Sequence, residues 1–249
     1  MTLKKRIASG EVTVGAWCTI AHPQVVEAMA SIPGIDWVVF DLEHTEVNVN
    51  DLAALFMACE KHRVAPLVRL SSHDPIQGRI ALDLGAVGLL IPVVESAERF
   101  ADLARHFVYP PKGRRGACLA RINGWGERFS EYQTEFEPIL IPQIETPAGV
   151  AQAKAIASLP EVDALFIGPY DLSASLGSAG DFTMPAFREA ERSVQESGRA
   201  AGKSLGMHVV TPRPEGVQAR IDEGYRFIAL GTDIICLRDS LQQAALIGR

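Results

Sequence analysis

A chain of 249 residues, 47% hydrophobic and 22% charged, has ordinary globular composition and enough length for one large core. Its net charge of -6 argues against nucleic acid as the main partner, and no basic run exceeds Lys4-Lys5-Arg6 or Arg114-Arg115. Cys18, Cys59, Cys118 and Cys236 lie far apart without zinc-site spacing, no apolar run approaches the ~18 residues of a membrane span, and no apolar signal-like segment follows Lys4-Lys5-Arg6, so a cytoplasmic, disulfide-free protein is expected.

Along the chain, short apolar runs alternate with helix-like segments. Val12–Trp17 reads as a strand and Pro23–Ser31 as a helix with proline in its first turn. Trp37–Asp41 is a strand, followed by an amphipathic helix over Asn50–Lys61 that Asn50 or Asp51 would start. Ala65–Leu70 is a strand ending near Arg69, and Asp74-Pro75 opens a helix to Leu84. Gly88–Ile91 (strand) and Glu95–Phe107 (helix) precede a long irregular stretch, Tyr109 to Pro138, whose length hints at a lid or a subunit contact. The rhythm then resumes: strand Ile139–Ile144, helix Pro147–Ser158, strand Ala164–Ile167, helix Pro185–Gly198, strand Ser204–Val210, helix Pro214–Glu223, strand Phe227–Leu230 and a last helix, Ser240–Ile247.

About eight β/α units with uniformly apolar strands, and no GxGxxG after the first of them, predict a closed (β/α)8 TIM barrel over residues 1–249 rather than a doubly wound sheet. Functional side chains of such a barrel sit at the carboxyl ends of its strands. Those ends carry Trp17, Asp41-Leu42-Glu43-His44, Arg69, Gln143 and Glu145, Gly168-Pro169-Tyr170-Asp171, His208 and Gly231-Thr232-Asp233.

Glu145 and Asp171 come from adjacent strands, so their carboxylates can converge on one divalent cation such as Mg2+ or Mn2+. The competing reading makes each a helix cap, Glu145 for the helix near Thr146 and Asp171 for Leu172 onward. His44, flanked by Asp41 and Glu43, is the natural general base, against the blander reading of a surface histidine in a turn. Arg69 at a strand end needs an anion: a substrate carboxylate or enolate, or else a structural pair with Asp41 or Glu43. None of Lys4, Lys5, Lys61, Lys112, Lys154 and Lys203 ends a strand, so a Schiff-base mechanism is not expected and a metal must do the electrophilic work.

Phe40-Asp41-Leu42-Glu43-His44, Pro66-Leu67-Val68-Arg69, Tyr109-Pro110-Pro111-Lys112-Gly113-Arg114-Arg115-Gly116, Gln143-Ile144-Glu145-Thr146 and Ile167-Gly168-Pro169-Tyr170-Asp171-Leu172-Ser173 together resemble the metal-dependent pyruvate aldolases of the 4-hydroxy-2-oxoheptanedioate aldolase/citrate lyase family. The resemblance covers essentially the whole chain. It implies a barrel of the phosphoenolpyruvate/pyruvate type, a hexamer built from three dimers that exchange the C-terminal helix, and retro-aldol cleavage of a 4-hydroxy-2-oxo acid to pyruvate and an aldehyde. Glu145 and Asp171 would bind Mg2+, Mn2+ or Co2+, while Gln143 and the backbone of Gly168, Pro169, Tyr170 and Asp171 hold the pyruvyl part. His44 would be the base and Arg69 the enolate stabiliser. Asp83 would raise the basicity of a neighbouring subunit's His44, and Asp41 is a second candidate for that contact or for the aldehyde hydroxyl.

This chain departs from the familiar pattern at Tyr170, Leu42 and Met207–Pro212, and Arg121 and Trp125 are candidates for the mouth. His208 and Tyr170 point to a hydroxylated or charged aldehyde, as in 2-oxo-3-deoxy sugar acids. The rival expectations are a lyase of CoA thioesters, with Arg114, Arg115 and Arg121 as its basic surface, and a non-catalytic barrel that binds a 2-oxo acid.

Overall fold

The computed structural model describes residues 1–245 and 247. Eight strands close into one barrel: β1 (Thr13–Cys18), β2 (Trp37–Asp41), β3 (Ala65–Arg69), β4 (Gly88–Ile91), β5 (Ile139–Ile144), β6 (Ala164–Ile167), β7 (Ser204–Val209) and β8 (Phe227–Thr232). All neighbours are parallel, and β8 returns to pair with β1. The (β/α)8 expectation therefore holds.

Helices alternate with the strands: α1 (Leu3–Ala8), α2 (Pro23–Ala30), α3 (Leu52–Lys61), α4 (Pro75–Leu84), α5 (Ala97–Ala104), α6 (Phe129–Glu135), α7 (Pro147–Ala157), α8 (Pro169–Ser175), α9 (Pro185–Ala200), α10 (Pro214–Asp222) and α11 (Asp233–Ala245). Proline opens α2, α4, α7, α8, α9 and α10, where its missing N–H costs nothing. Asp51 stands at the start of α3 but does not cap it; its carboxylate accepts the N–H of Asn48 instead.

Side chains alternate between two apolar layers, because successive strand residues face opposite ways. Trp17, Trp37, Val39, Leu67, Leu90, Ile141, Phe166 and Phe227 fill the barrel, while residues such as Phe40, Val68, Leu89, Leu140 and Leu165 pack beneath the helices. Trp37 stacks on Phe227 at 4.1 Å between ring centroids and 7° between planes. The indole occupies the space that Gly15 leaves, since a Cβ there would lie 2.0 Å from Trp37 Cδ2. Gly15→Ala is therefore expected to cost at least about 2 kcal/mol by overpacking. A urea midpoint equal to wild type would show that the indole can move aside.

Four sequence expectations need correction. The last helix begins at Asp233 rather than Ser240, directly after β8, and the part of the expected helix at Leu246 lies outside the described residues. The Tyr109–Pro138 stretch is not wholly irregular: it contains a 3-10 segment, Arg121–Gly126, and α6. The short helix α1 was not anticipated, α8 begins at Pro169 rather than at Leu172, and α5 is shorter than Glu95–Phe107.

The long stretch is tied down by Arg115. Its side chain is fully buried against Tyr109, Tyr132 and Phe136, with its guanidinium carbon 4.7, 5.6 and 5.5 Å from their ring centroids. Arg115 Nη2 donates to Asp83 Oδ1 at 2.6 Å, which joins the insertion to the last turn of α4.

Candidate active site

The in-register pairing of β2 and β3 sets Asp41 opposite Arg69. Arg69 Nε donates to Asp41 Oδ1 at 2.9 Å and Nη2 to Oδ2 at 2.5 Å, so the pair is bidentate. Arg69 Nη1 lies 2.8 Å from Glu43 Oε2, and the guanidinium sits 4.8 Å from the Trp17 ring centroid. Trp17 Nε1 also donates to Asp41 Oδ2, at 3.3 Å. Burial opposes ionisation of Asp41, but the Arg69 hydrogen bonds and charge outweigh it and hold the carboxyl below its usual range. The structural pair anticipated as the alternative for Arg69 is thus present, with both acids.

Asp41 does not orient the His44 ring. Its Oδ1 accepts the backbone N–H groups of Glu43 at 2.9 Å and His44 at 3.4 Å, and its carbonyl accepts from Thr45 Oγ1, so it fixes the turn. The acid near the imidazole is Glu43, with Oε2 3.7 Å from His44 Nε2, and the His44 side chain is 63% exposed. Burial pushes the Glu43 carboxyl up, Arg69 and His44 pull it down, and Asp41 and Asp171 raise it again, leaving it above its ordinary value.

Glu145 is 3% exposed. Its Oε1 accepts the Val93 N–H at 2.7 Å and its Oε2 accepts Gln143 Nε2 at 2.5 Å. Burial pushes its acid up to about 7 against the pull of the Val93 N–H, and the charges of Asp171 and Glu43 add to the rise. Gly168 lets the chain pass this carboxylate, for a Cβ there would lie 2.3 Å from Glu145 Oε2. Neither capping alternative describes these acids. Thr146, not Glu145, caps α7 by accepting the Gly149 N–H, and Asp171 lies inside the first turn of α8 after Gly168.

His208 stacks on Trp17 at 4.6 Å and 11°. Its Nε2 lies 3.0 Å from the carbonyl oxygen of Gly231, which can only accept, so Nε2 carries the hydrogen and Nδ1 keeps a lone pair. Burial drives its pKa down to about 4, with the Gly231 carbonyl opposing and Arg69 assisting, so the ring is neutral near pH 7.

Trp17, Asp41, His44 and Arg69 share a cleft of about 310 Å³ at the carboxyl ends of the strands. Gln143, Gly168, Pro169, Tyr170, Asp171 and His208 complete the expected members of its wall. Glu145 lies behind Gly168. Asp83 is not among the lining residues; within its own chain it faces Arg115. Arg121 and Trp125 do not line the mouth either: Arg121 reaches Glu60 and the Leu84 carbonyl, and Trp125 is 74% exposed. Arg114 pairs with Asp102.

One contributor had no assigned role. Asp233 accepts the N–H groups of Thr19 and Ile20, both at 2.9 Å, and the Thr19 hydroxyl at 2.5 Å, clamping the loop after β1 to the start of α11. Its place just after an apolar strand was the available signal. Asp171 in the cleft wall and Glu145 behind Gly168 lie near enough for the charge of Asp171 to raise the Glu145 acid; among the described residues no three His, Cys, Asp or Glu side chains surround one point.

An eight-stranded parallel barrel with acids, an arginine and an imidazole at its carboxyl end defines a (β/α)8 enzyme suited to moving protons beside a developing negative charge. The chain belongs to the HpcH/HpaI aldolase/citrate lyase family, which matches residues 13–240, and is an aldolase, a carbon–carbon lyase, of that family. It is 39% identical over 246 residues to a hydroxypyruvate/pyruvate aldolase of Delftia acidovorans, covering 98% of this chain and 89% of the relative. It is 32% identical over 244 residues to a 5-keto-4-deoxy-D-glucarate aldolase of Klebsiella pneumoniae, covering 97% and 94%. A solved HpcH/HpaI aldolase/citrate lyase family protein from Burkholderia cenocepacia superposes with a TM-score of 0.91 at 31% identity, over 98% of this chain and 97% of that one.

Proposed function

We propose that this enzyme is a pyruvate aldolase that cleaves 4-hydroxy-2-oxo acids to pyruvate and an aldehyde, with a divalent cation held by Glu145 and Asp171. The Glu145 carboxylate carries the reading: it is buried, its acid is raised to about 7, and Asp171 and Glu43 add negative charge around it. Such an excess calls for a cation. Two carboxylates with room for water and substrate suit Mg2+ or Mn2+, with Co2+ also compatible, because these ions take oxygen ligands and keep open positions. When bound, the ion supplies Lewis acidity toward the oxygens of the 2-oxo acid.

The chain's own groups do the rest. Gln143 and the backbone of Gly168, Pro169, Tyr170 and Asp171 hold the pyruvyl part. His44 takes the proton from the C4 hydroxyl, the C3–C4 bond breaks to free the aldehyde, and the enolate left behind takes a proton at C3 to give pyruvate; Glu43 Oε2 stands 3.7 Å from His44 Nε2. Arg69 faces the charge that grows on the enolate oxygen, and its ties to Asp41 and Glu43 hold it in place beforehand. Asp41 retains a second role toward the aldehyde hydroxyl. The lone pair of His208 Nδ1 and the Tyr170 hydroxyl favour an aldehyde that carries hydroxyl groups, in keeping with the sugar-acid substrate named for the Klebsiella relative.

A homo-oligomer, a hexamer built as a trimer of dimers, accompanies this reading. No residue of α11 is buried, and Ile234, Leu237 and Leu241 are exposed at helical spacing, a face suited to exchange with a second copy. In such an assembly Asp83 would approach a neighbour's His44. No described helix is long and apolar enough to cross a membrane, and a cytoplasmic location suits the four free cysteines.

The test is pyruvate release from a panel of 4-hydroxy-2-oxo acids, with Mg2+ or Mn2+ and after chelation. Release is expected only with the ion, and His44→Ala is expected to lower kcat about 10²–10⁴-fold while cation binding persists. Full activity in His44→Ala would remove the histidine from its role. A protein that binds ion and pyruvate yet cleaves nothing would be a thioester lyase or a non-catalytic binder. The first of these is disfavoured because Arg114, Arg115 and Arg121 are each matched by a carboxylate.

A further inference from the structure

A second cleft, of about 270 Å³, opens at the opposite end of the barrel, where β7 and β8 begin. Its wall includes Arg199 from the last turn of α9, Lys203 just before β7 and Arg226 just before β8, together with Ser9 and Ser204. Among the described residues no acidic side chain lines it. Among the acids nearby, Glu223 pairs with Arg220, Asp222 accepts from Gln218, Glu11 pairs with Arg6 and Asp163 pairs with Lys4. Three cations thus meet in one hollow of a chain whose net charge is -6.

Each cation makes bonds to the backbone alone among the described residues. Arg199 Nη2 donates to the Glu223 carbonyl at 2.7 Å and Lys203 Nζ to the Val162 carbonyl at 2.6 Å. Arg226 Nη1 donates to the carbonyls of Ile221 and Tyr225, both at 2.8 Å. These bonds fix the side chains and close helix and loop ends, which is a structural service. They also leave most of the donors free, for a guanidinium has five N–H groups and an ammonium three. Two anchored guanidinium groups and an ammonium around a small hollow are the arrangement that receives a tetrahedral oxyanion. The volume falls below the ~300–1,000 Å³ of pockets for larger ligands, so the occupant is small.

We propose that this cleft binds a small oxyanion of the phosphate class, separately from the active site and independently of the aldolase mechanism. The test is calorimetric titration of the full-length protein with inorganic phosphate and, in a second arm, glycerol 3-phosphate, each with and without saturating pyruvate. Saturable binding that pyruvate does not displace is expected. Tighter binding of phosphate would assign the site to the free ion, and tighter binding of the ester to a phosphorylated metabolite. Arg199→Gln combined with Lys203→Met is expected to weaken binding by about tenfold or more, the worth of one charge-assisted contact, while pyruvate release is unchanged. Lys203→Gln alone, which keeps a donor for the Val162 carbonyl, should weaken binding in the same direction if the double variant fails to fold. Absence of saturable binding, displacement by pyruvate, or unaltered affinity in the folded variants would each overturn the proposal.

Discussion

Glu145→Gln is expected to bind no divalent cation, to release no pyruvate and, without added metal at pH 8, to be more stable than the parent. The first two results follow from losing one of the two carboxylates proposed to hold the ion. The third follows from burial. The acid stands at 4.5 in its ordinary state and at about 7 in the folded protein. Between those values the native state holds the proton more tightly than the unfolded chain, so stability falls as pH rises from about 4.5 to about 7 and stays lowered above. The cost is on the order of 3 kcal/mol, and the amide does not bear it. Gln143 Oε1 is buried without a hydrogen-bond partner among the described residues, so a flipped Gln143 amide can accept from the new side chain. Thermal melts at pH 5 and pH 8, with and without Mg2+, check this. Mg2+ should raise the wild-type midpoint at pH 8 and leave the variant alone. A variant less stable than the parent at pH 8 would show that Glu145 does not carry a buried, uncompensated charge.

Arg69→Met should be the most damaging change at the site. It strips Asp41, only 2% exposed, of its counter-ion and leaves Glu43 without its 2.8 Å contact. Breaking a buried pair from one side costs about 3–5 kcal/mol, and losing a donor aimed at a developing oxyanion costs about 10²–10³ in kcat. Arg69→Lys should recover little of either, because a single ammonium cannot reproduce the bidentate fork. The pH dependence has a definite sign. Arg69 holds the Asp41 acid below its ordinary 3.8, a contribution to stability that is present above that value and lost as pH falls through the folded value. The gap between wild type and Arg69→Met should therefore narrow only below pH 3.8, as pH falls toward the folded value of Asp41. Denaturant midpoints at pH 7 and below about pH 3 would test it, and a gap of constant size would mean that Asp41 finds another partner.

The residues behind both predictions were legible because polar groups interrupted apolar runs at a regular place. Arg69 closes Ala65–Arg69 and Glu145 follows Ile139–Ile144, and a barrel gives such positions one address. What each group touches was less legible. Arg69 was expected to need an anion, but the choice of Asp41 depends on the register of β2 against β3. Asp41 was read as a partner of the histidine, yet backbone N–H groups of its own turn and the arginine take its lone pairs. The start of α11 was missed because Ile234-Ile235-Cys236-Leu237 follows β8 directly, and an apolar run so placed looks like either element. Arg115 was a candidate for the basic surface of a thioester lyase, since the aromatic residues that enclose it come from positions 109, 132 and 136.

The seam of the barrel sets an order of events during synthesis. β1 is made first among the strands, but one of its edges can be paired only by Phe227–Thr232, the last strand to leave the ribosome. The loop after β1 waits longer still, for the Asp233 carboxylate that holds Thr19 and Ile20. A nascent chain halted anywhere before residue 227 therefore carries an open strand edge, the kind of edge that recruits foreign strands. Its Trp17 also lacks the His208–Gly231 contact that backs the indole. The cleft is thus a product of the finished chain, and C-terminal truncations reaching into β8 should abolish activity and promote aggregation together.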